Sequence, residues 1–493
     1  MNAESKSSQS FPYHDLRTFV EGVKKLGEYK EIEGADWDLE IGALTEATSE
    51  LIEDPPMLMF DSIKGYPKGF RVVSLATGSR QRSALSLGLP TDKNTLELVR
   101  LWTQKIKDSN PIPPRVVNTG PVFENSMTGE DVNILKFPSI KAHAKDGGRY
   151  IGTGDSVINL DPENGVVNAG TYRIQVHNEK LLGIWMSPGQ QGREICQRYW
   201  KDGKSCPVVA VFGGDPLVFQ ASQLKLPFGQ SELAFAGGMR GIPLDVVTGP
   251  ITGLPIPAYS EVAIEGEIPP PDVESHEEGP FGEWPGYYSG GTRGTDMGQP
   301  VIRIKAIYHR NDPILVNQAP QWCGAPTHGI SQRSGVLWDQ LESGGIPGIT
   351  GVYFHTAYLI AISIKQMYSG HAKQVGGAAI SLIGGARNGR YVVVVDEDID
   401  VTKIKEVVWA MQTRVDPASD IDIVDGCWST PLDPRMPPEK RLSKDYTNSR
   451  AIFYAVRPYH WRDKFPMVNR VERSLMKEMV DKYRDVLPFP SAI

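Results

Sequence analysis

Residues 274–286 read Glu-Ser-His-Glu-Glu-Gly-Pro-Phe-Gly-Glu-Trp-Pro-Gly and hold four carboxylates and one imidazole. Three glycines and two prolines disfavour a helix there, so we expect a series of turns, a frequent position for catalytic side chains. Glu278 and Glu283 flank an apolar turn that contains Phe281. A carboxyl group held against aromatic rings has a raised pKa and suits a proton donor near neutral pH. The alternative interpretation is an acidic surface loop.

The composition is that of a globular protein with more than one domain. The chain has 493 residues, of which 40% are hydrophobic and 23% are charged, which is enough for two or three domains. The net charge is −7 and no Lys/Arg-rich run occurs, so nucleic acid is not an expected partner. The four cysteines are scattered without zinc-type spacing and are interpreted as reduced thiols.

The N-terminus and the hydropathy pattern predict a cytoplasmic protein without membrane contact. The first residues are polar and lack the apolar core of a signal peptide. No apolar run approaches the roughly 20 residues that a transmembrane helix needs.

Hydrophobic periodicity divides the chain into regions with different predicted secondary structure. We expect an N-terminal α/β domain over 1–114, with helices near 14–26, 39–52 and 94–106 and strands near 57–60 and 70–75. Pro111-Ile-Pro-Pro114 is a stiff connector. Short β-like runs separated by Gly/Pro/Asp turns fill 115–315 and indicate a split barrel with helical insertions.

The last third of the chain is predicted to be α/β. The apolar run 391–395 predicts a strand buried on both faces, within an α/β domain over 316–465. A long C-terminal helix is expected over 467–487, within a final segment 466–493, and its apolar stripe packs either within this chain or on a second subunit. The fold class is therefore α+β with several domains.

An acidic cluster has two competing interpretations, and the absence of two motifs argues against nucleotide sites of the corresponding kinds. The acidic cluster Asp396–Asp400 is either a solvated turn before a helix or a metal site, and the turn is favoured. No glycine-rich dinucleotide fingerprint follows a predicted strand, and no P-loop occurs, so neither nucleotide site is supported.

Five motifs in sequence order resemble those of one enzyme family. Glu278-Gly-Pro-Phe-Gly-Glu283 followed by Trp-Pro-Gly is similar to the signature loop of the UbiD family of reversible decarboxylases, which use prenylated FMN. The other similar stretches are Asp146-Gly-Gly-Arg-Tyr-Ile151, Asn168-Ala-Gly-Thr-Tyr-Arg173, Ser231-Glu-Leu-Ala-Phe-Ala-Gly-Gly-Met239 and Val394-Val-Asp-Glu-Asp-Ile-Asp400. The resemblance runs from about residue 14 to 465 and implies a split-barrel cofactor domain.

The resemblance implies a Glu-Arg-Glu catalytic triad. By position in the motifs, Arg173 orients charged groups, Glu278 is its partner and Glu283 is the general acid. A guanidinium is a planar fork that matches a carboxylate. Taken alone, Arg173 would be read as part of a structural salt bridge, but its place in the Asn168-x4-Arg173 motif favours the site.

The resemblance also implies a metal ion between protein oxygens and the cofactor phosphate. The family uses an Asn, a His and a Glu, and Asn168 and Glu232 match the first and third. Where many members have His, this chain has Gln191, or Gln190 if the alignment shifts by one residue. An amide oxygen suits Mg2+ or Mn2+, so the site is weakened but not excluded. A K+ ion is implied near Ala221 and Ser222.

Further residues are implied in cofactor and substrate binding. The full set of implied cofactor contacts is Asn168, Thr171, Tyr172, Arg173, Gln190, Gln191, Ala221, Ser222 and Glu232. Polar and aromatic side chains after the central strands are expected in the substrate pocket: Asn317, Gln318, Trp322 and His328. Their hydrogen-bonding groups favour a pyrrole-, indole- or hydroxybenzoate-type acid.

The predicted function is reversible, non-oxidative decarboxylation of such an acid, which releases CO2. Prenylated FMN acts as covalent electron sink, and a flavin prenyltransferase is implied as its supplier. A homodimer or larger homo-oligomer is expected. The alternatives are a flavin-binding protein that has lost decarboxylase chemistry and a flavin reductase, in which the Glu/Arg constellation would have no task.

Overall fold

The computed structural model describes residues 11–227, 229–290, 298–320, 322 and 331–487. Within this part, the chain forms two large sheets, a four-stranded sheet and two small ribbons. No helix in it combines the length and apolar character that crossing a lipid bilayer requires. The multi-domain mixed α/β architecture predicted from the sequence is confirmed.

The N-terminal region pairs capped helices with a small sheet. The side chains of Asp15 and Asn94 each accept a hydrogen bond from the backbone N–H of the third residue of the helix that follows. The side chain of that third residue accepts a hydrogen bond from the backbone N–H of Asp15 or Asn94 in return, so both helices begin with a capping box. The helices are Leu16–Lys25, Glu40–Leu51, Arg80–Ser86 and Thr95–Asp108. The strands are Tyr29–Glu33, Met57–Asp61 and Arg71–Ser74, joined by Ile314–Asn317, which pairs parallel with the third.

The centre of the molecule is a curled, mainly antiparallel sheet of ten strands. Its strands are Asn125–Thr128, Arg149–Gly152, Asp155–Leu160, Val167–Gly170, Arg173–Asn178, Leu181–Trp185, Cys206–Phe212, Val262–Ile268, Ser275–His276 and Gln299–His309. Shorter strands are Arg115–Val116, Asp245–Thr248, Pro255–Pro257, Pro280–Gly282 and Tyr288–Gly290. The inserted helices are Gln191–Lys201, Pro216–Ser222 and Glu232–Arg240. Because this sheet curls, residues far apart in sequence meet at its rim.

The C-terminal region is a five-stranded sheet with helices on its faces. The strands are Ile349–Thr356, Leu359–Ile364, Tyr391–Asp396, Ile421–Trp428 and Thr447–Ala455. The helices are Gln332–Ser343, His371–Ser381, Ile383–Ala386, Ile404–Arg414, Pro438–Leu442 and Arg473–Tyr483. Val392–Val395 are fully buried between two parallel neighbours, as the apolar run predicts.

The acidic cluster after that strand is an ion-pair network. Asp396 and Asp398 accept from the Arg414 guanidinium at 2.9 and 2.7 Å, and the backbone N–H of Arg457 also donates to Asp396. Their charge is therefore balanced by arginine side chains. This contradicts the metal-site alternative, and it also differs from a freely solvated turn because Asp396 is buried.

The C-terminal helix is shorter than predicted. It covers Arg473–Tyr483 rather than 467–487. Val471 and Val486, at the two ends of the predicted apolar stripe, lie outside the helix and are exposed. Helical periodicity was present there, but few tertiary contacts stabilise the ends, and helices gain most of their stability from packing. The predicted domain limits at 114, 315 and 465 remain predictions.

Candidate active site

Arg173 binds both predicted catalytic carboxylates. It is the first residue of its strand at the rim of the central sheet, and it is buried. Nε donates to Oε1 of Glu278 at 2.6 Å and Nη2 donates to Oε2 at 2.7 Å, so the two side chains form a bidentate ion pair. Nη1 donates to Oε1 of Glu283 and, at 3.3 Å, to Oγ of Ser289. One guanidinium thus holds two buried carboxylates, each 4–7% exposed.

Aromatic rings enclose this cluster. The guanidinium carbon of Arg173 lies 5.0 Å from the Trp185 ring centre and 5.1 Å from that of Phe281. Tyr150 donates its hydroxyl to Glu278 at 3.4 Å. The three charged side chains are buried, so their interactions are stronger than they would be at the surface.

A tight turn fixes the position of Glu283. Its N–H donates to the carbonyl of Tyr287 at 3.1 Å, and the N–H of Gly286 donates to the Glu283 carbonyl at 2.8 Å. Gly286 has φ of 82°, a left-handed conformation that costs glycine little. The carboxylate also accepts the N–H of Trp284 at 3.2 Å. The predicted turns are therefore confirmed only at 283–287, whereas Ser275–His276 and Pro280–Gly282 form short strands. Their backbones pair with Gln299–Pro300 and Tyr288–Gly290, so strand pairing replaces the turns expected from glycine and proline there.

Burial and neighbouring charges together shift the pKa values of Glu283 and Arg173. Burial raises the pKa of Glu283 above its ordinary value, although Arg173 and the Trp284 amide oppose this shift. Burial alone would lower the pKa of Arg173, but the carboxylates of Glu278 and Glu283 raise it further, so the guanidinium stays charged. A carboxyl group whose pKa is raised by burial suits the role of a general acid.

A cavity of about 530 Å³ opens beside the cluster. This volume lies within the range of small-molecule and cofactor sites. The strands and loops of the central region contribute Thr153, Thr171, Tyr172, Arg173, Trp185, Ser187, Gln190, Phe281, Glu283 and Trp284 to its wall. The N-terminal region contributes Ser49, Leu75, Thr77, Gly78 and Ser83, and the C-terminal region contributes Gln332, Arg333, Phe354, His355 and Leu432, among others. All three regions of the chain therefore meet at this cavity.

Hydrogen bonds link the segments that contain the residues predicted to hold a metal. Glu232 accepts the N–H of Ala169 at 2.8 Å, next to Asn168. Asn168 donates to Asn159, and Asn159 donates to the carbonyl of Gly192, next to Gln191. Burial raises the pKa of Glu232 to about 7. Asn168 and Gln191 also line a second, much smaller cavity.

Gln191 and Gln190 point in different directions. Gln191 donates its amide to the carbonyl of Leu226 at 3.1 Å, which leaves its side-chain oxygen as the atom that can face a cation. Gln190 lines the main cavity, and its oxygen accepts from Lys225. Of the two, Gln191 has the more suitable oxygen for a metal ion.

The predicted K+ region is close to the cavity. The carbonyl of Ser222 accepts the N–H of Thr171 at 3.3 Å, and that of Ala221 accepts the N–H of Leu224 at 3.0 Å. Each carbonyl oxygen has a second lone pair, so it can still act as a ligand to a cation.

Three cationic side chains collect near Gln190, and the sequence analysis did not identify them. Lys225 is bonded to Gln190, Arg333 lines the cavity, and Arg333 donates weakly to the carbonyl of Arg387. Burial lowers the pKa of Lys225 to about 7 and those of Arg333 and Arg387 to about 10. Repulsion from Arg387 adds to the shifts of Lys225 and Arg333. Nε of Arg387 is buried without a hydrogen-bond partner. Such crowding is relieved when an anion binds.

The predicted substrate residues are only partly brought together. Gln318 lines the cavity. Asn317 is buried, donates to Ser74 at 2.9 Å and accepts from Ala319, so its amide groups are already engaged. The side chain of Trp322 is 60% exposed and is not part of the described cavity wall. His328 lies outside the described residues.

Comparison with known proteins identifies the family. Three family models match in chain order, each described as a 3-octaprenyl-4-hydroxybenzoate carboxy-lyase domain: the N-terminal domain over 20–102, the Rift-related domain over 115–321 and the C-terminal domain over 329–455. A curated phenolic acid decarboxylase from Sedimentibacter hydroxybenzoicus is 34% identical over 86% of this chain and 89% of its own. The chain belongs to the UbiD family. UbiD enzymes are carboxy-lyases, and the predicted enzyme class is confirmed.

Two other UbiD-family comparisons bear on substrate and cofactor. The pyrrole-2-carboxylic acid decarboxylase of Pseudomonas aeruginosa is 29% identical over 82% of this chain and 84% of its own. An evolved dimeric form of the UbiD-class enzyme HmfF from Pelotomaculum thermopropionicum, solved in complex with prenylated FMN, superposes with a TM-score of 0.79. That structure is 26% identical and covers 95% of this chain and all of its own.

Proposed function

We propose that this protein catalyses reversible, non-oxidative decarboxylation of an aromatic or heteroaromatic acid with prenylated FMN. The observation that carries the proposal is the buried Glu278–Arg173–Glu283 cluster at the wall of the cavity. The relatives that act on phenolic acids and on pyrrole-2-carboxylic acid, and the HmfF structure that holds prenylated FMN, support it.

The cationic group fits a cofactor phosphate. Lys225, Arg333 and Arg387 form no ion pair at hydrogen-bonding distance with a carboxylate within the described part of the chain, and all three have lowered pKa values. A phosphate would neutralise this buried charge, and arginine matches its geometry. Thr171, Tyr172 and Gln190 line the same cavity and would contact the flavin. When bound, prenylated FMN supplies a covalent partner and electron sink for the substrate.

The donor set of the predicted metal site fits a divalent cation. Asn168, Gln191 and Glu232 offer hard oxygen ligands, which suit Mg2+ or Mn2+. The raised pKa of Glu232 reflects a buried carboxylate that a cation would stabilise as the anion. Carbonyls of Ala221 and Ser222 would serve a K+ ion. The divalent ion would bind the cofactor phosphate, and neither ion is assigned a part in proton transfer.

The side chains of the cluster divide the remaining work. The C–C bond to the carboxylate breaks, CO2 leaves, and a C–H bond forms at the same carbon with a proton from Glu283. Arg173 holds Glu283 in place and balances the charge that remains on it after proton transfer. Glu278 fixes the other edge of the guanidinium. In the reverse direction, Glu283 accepts the proton.

The cavity wall favours a flat substrate with polar substituents. Trp185, Phe281 and Trp284 offer ring faces, and Gln318 offers an amide that can bond a ring N–H or hydroxyl. Pyrrole-, indole- and hydroxybenzoate-type acids combine both features. Asn317 would not bind the substrate directly, because its amide already bonds Ser74 and the backbone N–H of Ala319. It would instead fix the backbone next to Gln318.

The decisive experiment examines protein co-expressed with a flavin prenyltransferase. The released cofactor is weighed by mass spectrometry, the holoprotein spectrum is recorded, and CO2 release is screened with pyrrole-2-carboxylate, indole carboxylates and hydroxybenzoates. We expect the mass of prenylated FMN and CO2 release from at least one acid. Plain FMN, with no CO2 released, would favour the flavin reductase alternative and contradict this proposal.

Neutralising the cationic group is expected to weaken flavin binding. Lys225→Met and Arg387→Gln should each lower the affinity for FMN about 10- to 100-fold, the effect of losing one hydrogen bond to a charged group. Quenching of flavin fluorescence in a titration of purified apoprotein measures this. Lys64→Met is the control, because Lys64 is an exposed lysine paired with Asp36 and should leave the affinity unchanged. Equal affinities for all variants would contradict the phosphate assignment.

The proton donor predicts the direction of the pH dependence. Glu283 must be protonated to donate, and burial raises its pKa above the ordinary carboxyl value. We therefore expect kcat to be highest at low pH within the stable range and to fall as pH rises through the pKa of Glu283. Rates of CO2 release between pH 5 and 9 measure this. A kcat that rises over the same interval would contradict the assignment.

Two wider expectations complete the proposal. The three regions are proposed as domains with limits near 114, 315 and 465, and residues after 466 as a contact with a second subunit. The exposed side chains of Leu475 and Tyr483 on the C-terminal helix are consistent with a homo-oligomer. Light scattering on the full chain measures the mass of the assembly.

A further inference from the structure

The backbone of the loop that carries the catalytic carboxylates is attached to residues 143–147. The N–H of Gly282 donates to Oδ1 of Asp146 at 2.9 Å, one peptide before Glu283. The N–H of Gly147 donates to the carbonyl of Pro280 at 2.7 Å. The two backbones touch between Gly147 and Gly279, where a Cβ on Gly147 would lie 2.2 Å from the Cα of Gly279. No side chain fits there, so this approach depends on both glycines.

His143 lies between Asp146 and a helix of the N-terminal region. Its backbone N–H donates to Oδ2 of Asp146 at 2.9 Å, and its Nδ1 lies 3.4 Å from the same oxygen. Its Nε2 lies 3.5 Å from Oε2 of Glu46, which is on the helix Glu40–Leu51. Both distances are those of ion pairs rather than of ideal hydrogen bonds. Asp146 first, and then Glu46, raise the pKa of His143 against the effect of burial.

Glu46 extends this chain of contacts to the cavity wall. Its Oε2 accepts the backbone N–H of Trp322 at 3.2 Å, so it also holds the segment that follows Gln318. Ser49, one turn further along the same helix, lines the cavity. A line of contacts therefore runs from the loop of Glu283 through Asp146 and His143 to the N-terminal wall.

We propose that Asp146 and His143 are positioning residues that hold the Glu283 loop in its reactive place and couple it to the N-terminal wall of the cavity. The inference rests on the proposed function, because it takes Glu283 as the proton donor. Asp146 acts through the Gly282 N–H, and His143 acts by fixing the Asp146 carboxylate. Neither lines the described cavity wall, so neither is assigned to contact substrate.

The physical reason is the short reach of proton transfer. Glu283 must lie within hydrogen-bond distance of the carbon that CO2 leaves, and a displacement of 1 Å costs about 100-fold in rate. The groups that face His143 are Asp146, Glu46 and the ring of Tyr288, whose centre lies 6.3 Å from that of His143. The imidazole of His143 thus lies between two carboxylates from two different regions.

The test compares Asp146→Ala with Asp146→Asn in the full chain. The amide of Asn keeps one oxygen for the Gly282 N–H and loses the acceptor for the His143 N–H, whereas Ala removes both acceptors. Hydrogen–deuterium exchange of the peptide covering 279–284 reports on the loop directly, without activity. We expect Asp146→Ala to speed exchange at Gly282 by roughly 10- to 100-fold, and Asp146→Asn to have a much smaller effect.

Kinetics on the same holoenzymes test the catalytic consequence. Asp146→Ala should lower kcat by about 100-fold, with KM and the bound-cofactor spectrum within about twofold of the parent. Asp61→Ala is the matched control. Asp61 is a buried carboxylate that accepts the N–H of Gly69 at 2.8 Å in a turn distant in sequence from the catalytic loop. This control should leave exchange at 279–284 and kcat unchanged.

His143 has its own readout. In Asp146→Asn, the pKa of His143, followed by NMR of its ring C–H, should fall because the carboxylate that raises it is gone. His143→Gln should lower kcat less than Asp146→Ala does, since it removes the imidazole beside Asp146 but leaves the Gly282 bond in place.

The outcomes separate this inference from the proposed function. Unchanged exchange at Gly282 in Asp146→Ala overturns the inference, whatever the activity. Faster exchange with an unchanged kcat overturns it as well, because the loop would then be attached without catalytic consequence. A parent enzyme that carries prenylated FMN but releases no CO2 contradicts the proposed function. Exchange then still decides whether Asp146 holds the loop.

Discussion

Glu283→Gln is expected to reduce CO2 release by about 10²- to 10⁴-fold, the usual contribution of a positioned general acid. The amide has nearly the same shape as the carboxyl group, and its oxygen can accept either from Arg173 or from the Trp284 N–H. It has no acidic proton, so the carbon that CO2 leaves receives none from it. We expect KM and bound prenylated FMN to change little.

Glu277→Gln is the matched control for that variant. Glu277 lies in the same segment and is exposed, and it should retain the parent rate. Deuterium incorporation into the product in D2O gives a second measurement, since proton transfer at that carbon should slow in Glu283→Gln alone. Unchanged turnover in Glu283→Gln would show that another group delivers the proton.

Replacing Arg173 is expected to have the second large effect, on stability as well as on rate. Arg173→Met leaves Glu278 and Glu283 buried without their cation, and removal of one partner of a buried pair costs about 3–5 kcal/mol. Arg173→Lys restores a charge but lacks the planar fork, so it cannot keep the bonds at 2.6 and 2.7 Å to Glu278 together with the bond to Glu283. We expect little turnover from either variant.

Denaturant unfolding and CO2 release on the same samples separate the two effects. The double variant Arg173→Met/Glu278→Gln removes a positive and a negative charge, so it should recover part of the lost stability while turnover stays low. Arg149→Met is the control on the neighbouring strand, where the guanidinium stacks on Trp37 and bonds Tyr66 rather than a carboxylate. A stable Arg173→Met with full activity would contradict the role assigned to the cluster.

Features with a local cause could be predicted from the sequence alone. The turn at 283–287 follows from Pro285 and Gly286, and Val392–Val395 form a buried parallel strand because β-branched residues cover both of its faces. Capping boxes at Asp15 and Asn94 begin two predicted helices. The family could also be named, since its motifs are short, continuous stretches.

The candidate site was predictable only as far as those motifs reach. Arg173 and Glu278 are 105 positions apart, and the ion pair between them was inferred from the family rather than from spacing. Lys225, Arg333 and Arg387 come from separate segments with no common motif, so no sequence signal brought them together. Asp146 was noted in a motif, but its bond to Gly282 is visible only once two loops are placed side by side.

By itself, the sequence determined which residues can do the chemistry and which short segments turn, extend or coil, because these depend on side-chain type and near neighbours. The tertiary structure alone decided which of these residues contact each other and which are buried away from water. Packing of the segment 277–287 beside the strand that begins at Arg173 brings both glutamates to the guanidinium, and burial raises the pKa of Glu283. It also leaves Trp322 exposed and ends the last helix at Tyr483, since packing against distant parts of the chain determines burial and helix length.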